Sequence, residues 1–289
     1  GEDGFPSMLD SYVTFILDDG ALIIDYKATP DGKTPICLTN HAYFNLDGIY
    51  RKFHHDKLTY TYSYAFTENY VLPISHDEVV HGKCSLINKI PGNYNEKFAG
   101  VRAFLGYMYA HPGKKLLFMG TEFGQFIEWD YKKGLDWILL DYEMHVLLQD
   151  YTRELNKFYK KNSPLWEVDY SWEGFKWVVS DDNDNSVIAF VRSNEAGDKL
   201  LAVCNFTPVA RSSYKIGVPD AESYDIVFNS DSAKFGGTGE KIKKTYKVNE
   251  GMMHGFDNYI ELSLPPMTTL YLKQNKKAEK SDPTDKVKK

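Results

Sequence analysis

Between residues 49 and 162 the chain has just two apolar runs short enough to be buried strands, Val71–Ile74 and Lys115–Met119, and each leads into a helical pattern. Phe98–Ala110 carries Phe98, Val101, Leu105 and Met108 on one stripe and stops at His111-Pro112-Gly113. Glu143–Lys161 carries Leu147, Leu148, Tyr151, Leu155 and Phe158 on one face, with lysines in its last turn opposing the helix dipole. Asp141 stands where its N-cap is expected. Strand–helix–strand–helix is the signature of a parallel α/β structure. Two parallel strands, however, can neither close a barrel nor cover both faces of a sheet. The remainder of the chain decides what such a piece belongs to.

The residues before it do not extend the pattern. Tyr12–Leu17, the turn Asp18-Asp19-Gly20 and Ala21–Ala28 read as a β-hairpin, followed by a strand beginning at Pro35–Leu38. After residue 162 the chain reads as all-β. Phe175–Ser180, Ser186–Arg192, Leu200–Phe206, Ser223–Phe228, Lys243–Val248, Tyr259–Leu264 and Thr269–Lys273 are short strands spaced by Gly, Pro and Asp turns, which predicts a small sandwich. Residues 274–289 hold six Lys against three acids and almost nothing apolar, the composition of a disordered tail. The sequence is consistent locally and inconsistent globally.

Composition narrows the function classes. A hydrophobic share of 43% and a charged share of 26% suit a globular chain, and a net charge of −6 argues against nucleic acid as a partner. The apolar runs are too short for a membrane span, and the acidic start Gly1-Glu2-Asp3-Gly4 is unlike a signal peptide. Cys37, Cys84 and Cys204 are few, odd in number and far apart, which speaks against a disulfide framework or a zinc site and for a cytoplasmic location. Aromatic residues make up 15%, which fits both a sugar-handling surface and an ordinary core. His54-His55-Asp56 lacks further ligands at a suitable spacing for a metal.

Two resemblances account for the inconsistency, meeting near Gly48/Ile49. Tyr50–Leu58 (YRKFHHDKL), Leu72–Lys83 (LPISHDEVVHGK), Leu117–Trp137 (LFMGTEFGQFIEWDYKKGLDW), Trp172–Val178 and Val203–Pro208 (VCNFTP) resemble the C-terminal portion of the glycogen (1,4-α-glucan) branching enzymes, over about residues 49–273. The match departs at Thr121, where that family is expected to have Gln. Gly1–Phe5 (GEDGF) and Pro35–Gly48 (PICLTNHAYFNLDG) resemble a different family, the aldose 1-epimerases or galactose mutarotases. The implied fold is mixed α and β. Residues 1–48 are a β-sandwich fragment, 49–162 the last two strands and helices of a (β/α)8 barrel, 163–273 an all-β sandwich domain and 274–289 a tail. A splice of two gene products, natural or otherwise, is the arrangement this implies.

The branching reaction cuts an α-1,4 glucan and rejoins the segment through a 6-hydroxyl with retention. Retention calls for a carboxylate nucleophile and a second carboxyl as acid and then base, about 5–5.5 Å apart. The resemblance places both on barrel strands upstream of the matched region, so the chain alone is expected to lack branching activity. What the resemblance does supply is His76 as a contact to sugar hydroxyls and Asp77 as a stabiliser of the transition state, at the C-terminal end of a barrel strand. Glu78, His81, Glu122, Trp129 and Asp130 are expected to line the cleft or support its loops; Trp129 is placed equally well by stacking on glucose or by packing. Trp166, Trp172 and Trp177 are expected in the β-domain core or at its contact with the barrel. The expected partner is α-glucan, glycogen or amylose, with no metal or organic cofactor. A separate polypeptide supplying the missing strands is an alternative, as is a non-catalytic glucan-binding module. His41 matches the epimerases' general acid, but that chemistry needs a glutamate base for which the chain has no counterpart, so His41 reads as a relic.

Overall fold

The structure, a computed structural model, describes residues 9–18, 21–32, 55–67 and 71–276. Pro35–Leu38, His41, His54 and most of the Lys-rich tail lie outside the described residues. The chain divides into two compact units, Gly1–Tyr43 and Phe44–Lys289.

In the first unit β1 (Leu9–Asp18) and β2 (Ala21–Pro30) form an antiparallel ladder running from Leu9↔Pro30 to Asp18↔Ala21. This is the expected hairpin, longer at both ends.

Among the described residues, the first elements of the second unit are a short helix, α1 (Asp56–Thr59), and β3 (Val71–Ile74). A single-turn helix, α2 (Leu86–Lys89), leads to α3 (Tyr94–Ala110), β4 (Lys114–Leu117) and α4 (Glu143–Lys161). β3 and β4 pair in parallel, Val71 with Lys114 through Ile74 with Leu117. The crossover between them contains α3, as a parallel pair requires. α3 starts four residues earlier than its apolar stripe suggested, because Asn93 and Glu96 form a capping box. Asn93 Oδ1 accepts from the Glu96 N–H at 3.1 Å, and Glu96 Oε2 accepts from the Asn93 N–H at 2.7 Å. α4 has the expected bounds, but Asp141 is not its N-cap. Asp141 ends a 3-10 segment, Trp137–Asp141, and Tyr142 caps the helix without a side-chain bond.

The β region adds β5 (Phe175–Asp182), β6 (Val187–Ser193), β7 (Lys199–Asn205), β8 (Arg211–Val218), β9 (Ser223–Asn229), β10 (Thr245–Lys247), β11 (Asn249–Met253), β12 (Phe256–Leu264) and β13 (Thr268–Asn275). A six-stranded sheet in the order β10-β9-β13-β7-β6-β5 faces a three-stranded sheet in the order β11-β12-β8. β8 and β11 are additions to the strands expected from sequence.

Side chains of the large sheet alternate between two cores. Val187, Ala189, Val191, Leu201, Val203, Leu270 and Leu272 pack on Ile216, Val218, Ile260 and Leu262 of the smaller sheet. Ile188, Phe190, Ala202, Cys204 and Tyr271 face the other way and join Phe98, Val101, Leu105, Leu148, Tyr151 and Leu155 of α3 and α4. The helices thus bury their apolar faces against the β-sandwich. Polar bonds fix the contact: Tyr271 Oη donates to Gly106 O at 2.5 Å and Thr269 Oγ1 to Ala103 O at 2.7 Å. Gly106 permits this approach, since a Cβ there would lie 2.8 Å from Thr269 Cβ.

A buried charge cluster ties the end of α3 to the sandwich. Arg192 donates from Nη2 to Asp169 Oδ1 at 2.8 Å, from Nη1 to Ala110 O at 2.8 Å and from Nε to Gly174 O at 3.1 Å. Lys114 Nζ reaches Asp169 Oδ2 at 3.2 Å. Burial would raise the Asp169 pKa, but Lys115 and Arg192 together outweigh it and hold the carboxyl low. Next to them His111 is buried between the Thr61 hydroxyl and its own neighbour's carbonyl. Nε2 lies 2.7 Å from Thr61 Oγ1 and Nδ1 2.7 Å from Pro112 O. Trp177 packs among Tyr62, Phe175 and Phe190, and Trp172 edges onto Phe66 and Phe175.

Candidate functional site

The loop after β3 turns into a 3-10 segment at His76–Glu78, which turns the chain as it leaves the strand. His76 Nε2 lies 3.2 Å from Asp77 Oδ1, and both side chains are about half exposed, at 51% each. Ser75 Oγ donates to Asp77 Oδ2 at 3.4 Å, and Lys83 Nζ donates to the Asp77 carbonyl at 2.9 Å. The pair is therefore fixed from below and open above.

The loop after β4 supplies the neighbouring wall. Trp129 meets the His76 ring edge-on with centroids 5.6 Å apart, and Phe118 meets Trp129 edge-on at 5.2 Å. The Trp129 N–H donates to Val79 O at 3.0 Å, joining the two loops through their backbones. Trp129 is half-buried, so the packing role is realised while part of the indole stays accessible.

Glu128, which sequence reasoning passed over, makes the strongest link between the loops. Its Oε2 accepts from the Gly82 N–H at 3.0 Å and its Oε1 from the Cys84 N–H at 2.6 Å. These two bonds hold the carboxyl below the usual carboxylate range. The facing turn is unusual, with His81 at φ 56°, Gly82 at φ 78° and Cys84 at φ 65°. Two backbone N–H groups converging from such a turn form an anion-binding concavity, and the Glu128 carboxylate fills it. An acid beside Trp129 was visible in the sequence; the backbone donors that use it were not.

The other expected residues are turned to local tasks. Glu122 Oε2 accepts from the Gly120 N–H at 2.8 Å, closing its own loop. Asp130 Oδ1 accepts from the Lys132 N–H at 3.0 Å and lies 3.7 Å from Lys133 Nζ. His81 is exposed on the strained turn, and Glu78 is half-buried at the end of the 3-10 segment. Of the seven, the structure brings His76, Asp77 and Trp129 into one surface. The space enclosed between the loops, lined by Val79, Ser85, Met119, Thr121, Gln125 and Trp129 among others, is about 20 Å³. That is room for about one water molecule and not for a pyranose ring. His76 and Asp77 do not line this space; they stand outside it, half exposed. Among the described residues no group of three or more His, Cys, Asp or Glu side chains is arranged to hold a metal, and no helix is long and apolar enough to cross a membrane.

Comparison with known proteins gives two family matches. Residues 177–275 match the alpha amylase C-terminal all-beta domain, and residues 1–85 match aldose 1-epimerase, a span that runs past the expected junction at Gly48/Ile49. The 1,4-alpha-glucan branching enzyme GlgB of Halothermothrix orenii is 54% identical over 232 residues, 80% of this chain and 37% of that protein. The enzymes of the same name from Bacillus anthracis and Francisella philomiragia are 47% and 49% identical over 82% and 81% of this chain. The chain therefore spans about 37% of the length of these relatives. Among solved structures, an alpha-amylase from H. orenii aligns with a TM-score of 0.45 and 14% identity, over 69% of this chain and 38% of that one.

Proposed function

From the premise that about four fifths of the chain matches the C-terminal portion of the 1,4-α-glucan branching enzymes, behind an aldose 1-epimerase-like start, we propose that it presents one wall of an α-glucan site and does not branch glucan by itself. β3 and β4 are then the last two strands of a (β/α)8 barrel, and the 76–78 turn lies at their C-terminal ends, where barrel enzymes place their chemistry. His76 and Asp77 hydrogen-bond the hydroxyls of the reacting glucose. These bonds strengthen as the ring flattens toward an oxocarbenium ion, so they lower the barrier as well as aid binding. Trp129 presents an indole beside them for the apolar face of a sugar.

The observation that carries this reading is the His76–Asp77–Trp129 surface beside carboxylates already committed elsewhere. Glu122, Glu128 and Asp130 all accept backbone N–H bonds within the loops. A retaining mechanism needs two free carboxyls about 5–5.5 Å apart. Glu122, Glu128 and Asp130, each already holding a backbone N–H, are not free carboxyls of that kind.

The test is a branching assay. The purified chain is incubated with amylose and α-1,6 linkages are counted by proton NMR. No new linkages are expected from the folded protein, together with retardation on amylose in native gels. New linkages that disappear in Asp77→Ala would overturn the reading. The exposed apolar residues Val71 and Leu116 on the two-stranded sheet favour a second reading, in which another polypeptide supplies the remaining strands and both carboxylates. Branching that appears only when the N-terminal part of a relative is added would establish it. A galactose mutarotation assay is the control for the N-terminal match, and no activity is expected there.

A further inference from the structure

We propose that Glu128 is the positioning residue of this wall: its carboxylate locks the loop after β3 in the conformation that sets His76 against Trp129. This rests on the reading of His76, Asp77 and Trp129 as a glucan-facing surface.

Three observations converge on it. First, the turn at residues 81–84 puts His81 and Cys84, two residues with a Cβ, in the left-handed region on either side of Gly82 and Lys83. Such a backbone persists only when something outside it fixes it. Second, the two N–H groups it exposes, those of Gly82 and Cys84, both end on the two oxygens of Glu128. Bonds to an ionised acceptor are stronger than neutral ones, and a carboxylate has the two oxygens needed to take both. Third, the residues on each side of these contacts are those of the site. Lys83, between the two N–H donors, holds the Asp77 carbonyl, and Trp129, next to Glu128, bonds Val79 O and meets the His76 ring. Moving the carboxylate therefore shifts His76 and Asp77 from one side and Trp129 from the other. Glu128 touches no substrate in this arrangement. It acts through the loop.

The experiment compares the whole chain with Glu128→Gln, which keeps the size but leaves one oxygen for two donors, and Glu128→Ala, which removes both. Isotope-labelled protein is followed at the His76 ring, the Gly82 and Cys84 amides and the five tryptophan indoles, first without sugar and then during a maltohexaose titration. In both variants the His76 ring and the two amides are expected to shift while Trp172 and Trp177 stay in place, and maltohexaose affinity is expected to drop about tenfold, the equivalent of about 1.4 kcal/mol. The urea midpoint is expected to fall only slightly in Glu128→Gln, so the His76 shift and the lost affinity are read in a protein that is still folded, which a general loss of stability would not produce. A His76 ring that does not move in the folded Gln variant overturns the proposal, as does a moved ring with unchanged affinity. Should maltohexaose leave the wild-type Trp129 indole unaffected, the glucan reading falls, and the sugar-free comparison at His76 alone decides the role of Glu128. If Glu128→Ala does not fold, Glu128→Gln still decides.

Discussion

His111 should make the chain acid-sensitive in a definable pH window. The ring is buried to 1% exposure, with Nδ1 against Pro112 O and Nε2 against the Thr61 hydroxyl. The geometry assigns the proton to Nδ1, which donates to the carbonyl, while Nε2 accepts from Thr61. A second proton would sit on Nε2 and turn the Thr61 hydroxyl from donor to acceptor, leaving a charged ring away from water. Burial, reinforced by Lys115 and Arg192 against the Pro112 carbonyl, lowers the His111 pKa to about 3. In the unfolded chain the ring takes its proton near the ordinary value of about 6.5. Between these values the unfolded state binds more protons, so stability is fully present above about pH 6.5 and falls as pH drops toward 3. At about 1.4 kcal/mol per unit, the loss between pH 6.5 and pH 5 is about 2 kcal/mol from this residue. Lys115, buried beside it and lowered to about 7, is protonated in both states across that window and adds little to the slope. The assay is urea unfolding followed by tryptophan fluorescence at pH 6.5 and pH 5 for the wild type and His111→Gln. His55, His145 and His254 also have lowered pKa values, so the informative quantity is the difference between the two proteins. The variant is expected to be less stable at pH 6.5 and to lose about 2 kcal/mol less on going to pH 5. An equal loss in both proteins would refute the assignment of His111 as a buried neutral ring.

Two further outcomes follow from the same packing. Asp169→Ala leaves the fully buried Arg192 without its counter-ion, and should cost about 3–5 kcal/mol in urea unfolding; a loss under about 1 kcal/mol would mean that water reaches the cluster. Asn93→Ala removes one half of the α3 capping box and should cost about 1 kcal/mol, with faster hydrogen exchange confined to the first turn; unchanged exchange there would show that tertiary contacts alone hold the helix start.

The parts of this structure that were legible in the sequence are those whose burial has one side. α4 sits on the sandwich with Leu148, Tyr151 and Leu155 inward and Asp150, Arg153, Glu154 and Lys157 outward, so its period marked both ends. α3 is buried almost all round from Phe98 to Ala110, so the stripe of Phe98, Val101, Leu105 and Met108 marked its buried part but not its start, which the Asn93–Glu96 capping box sets. β8 opens with Arg-Ser-Ser and is buried only near Val218, and β11 is an exposed edge, so neither shows strand alternation. Conversely, Asp141 has the chemistry of a cap and a 3-10 turn in its place. At the candidate site, the family motif singled out His76 and Asp77, which the structure sets side by side at the end of β3. Glu128 was not legible, because its partners are main-chain donors 44 and 46 residues away whose direction depends on φ at positions 81 to 84.

The shared core of the helices and the large sheet also governs how this chain tolerates recombination. One surface of the sandwich is lined by Phe190, Cys204 and Tyr271, and its cover is α3 and α4, with Tyr271 and Thr269 bonded to carbonyls of α3 itself. A crossover between residues 161 and 175 would hand the sandwich to a new host without its cover and leave those hydroxyls facing a foreign helix. A crossover before Asn93 would carry the cap, both helices and the sandwich together. Inheritance of this region is therefore expected to proceed in blocks that begin upstream of α3, and a graft made at the start of the β strands is expected to be insoluble.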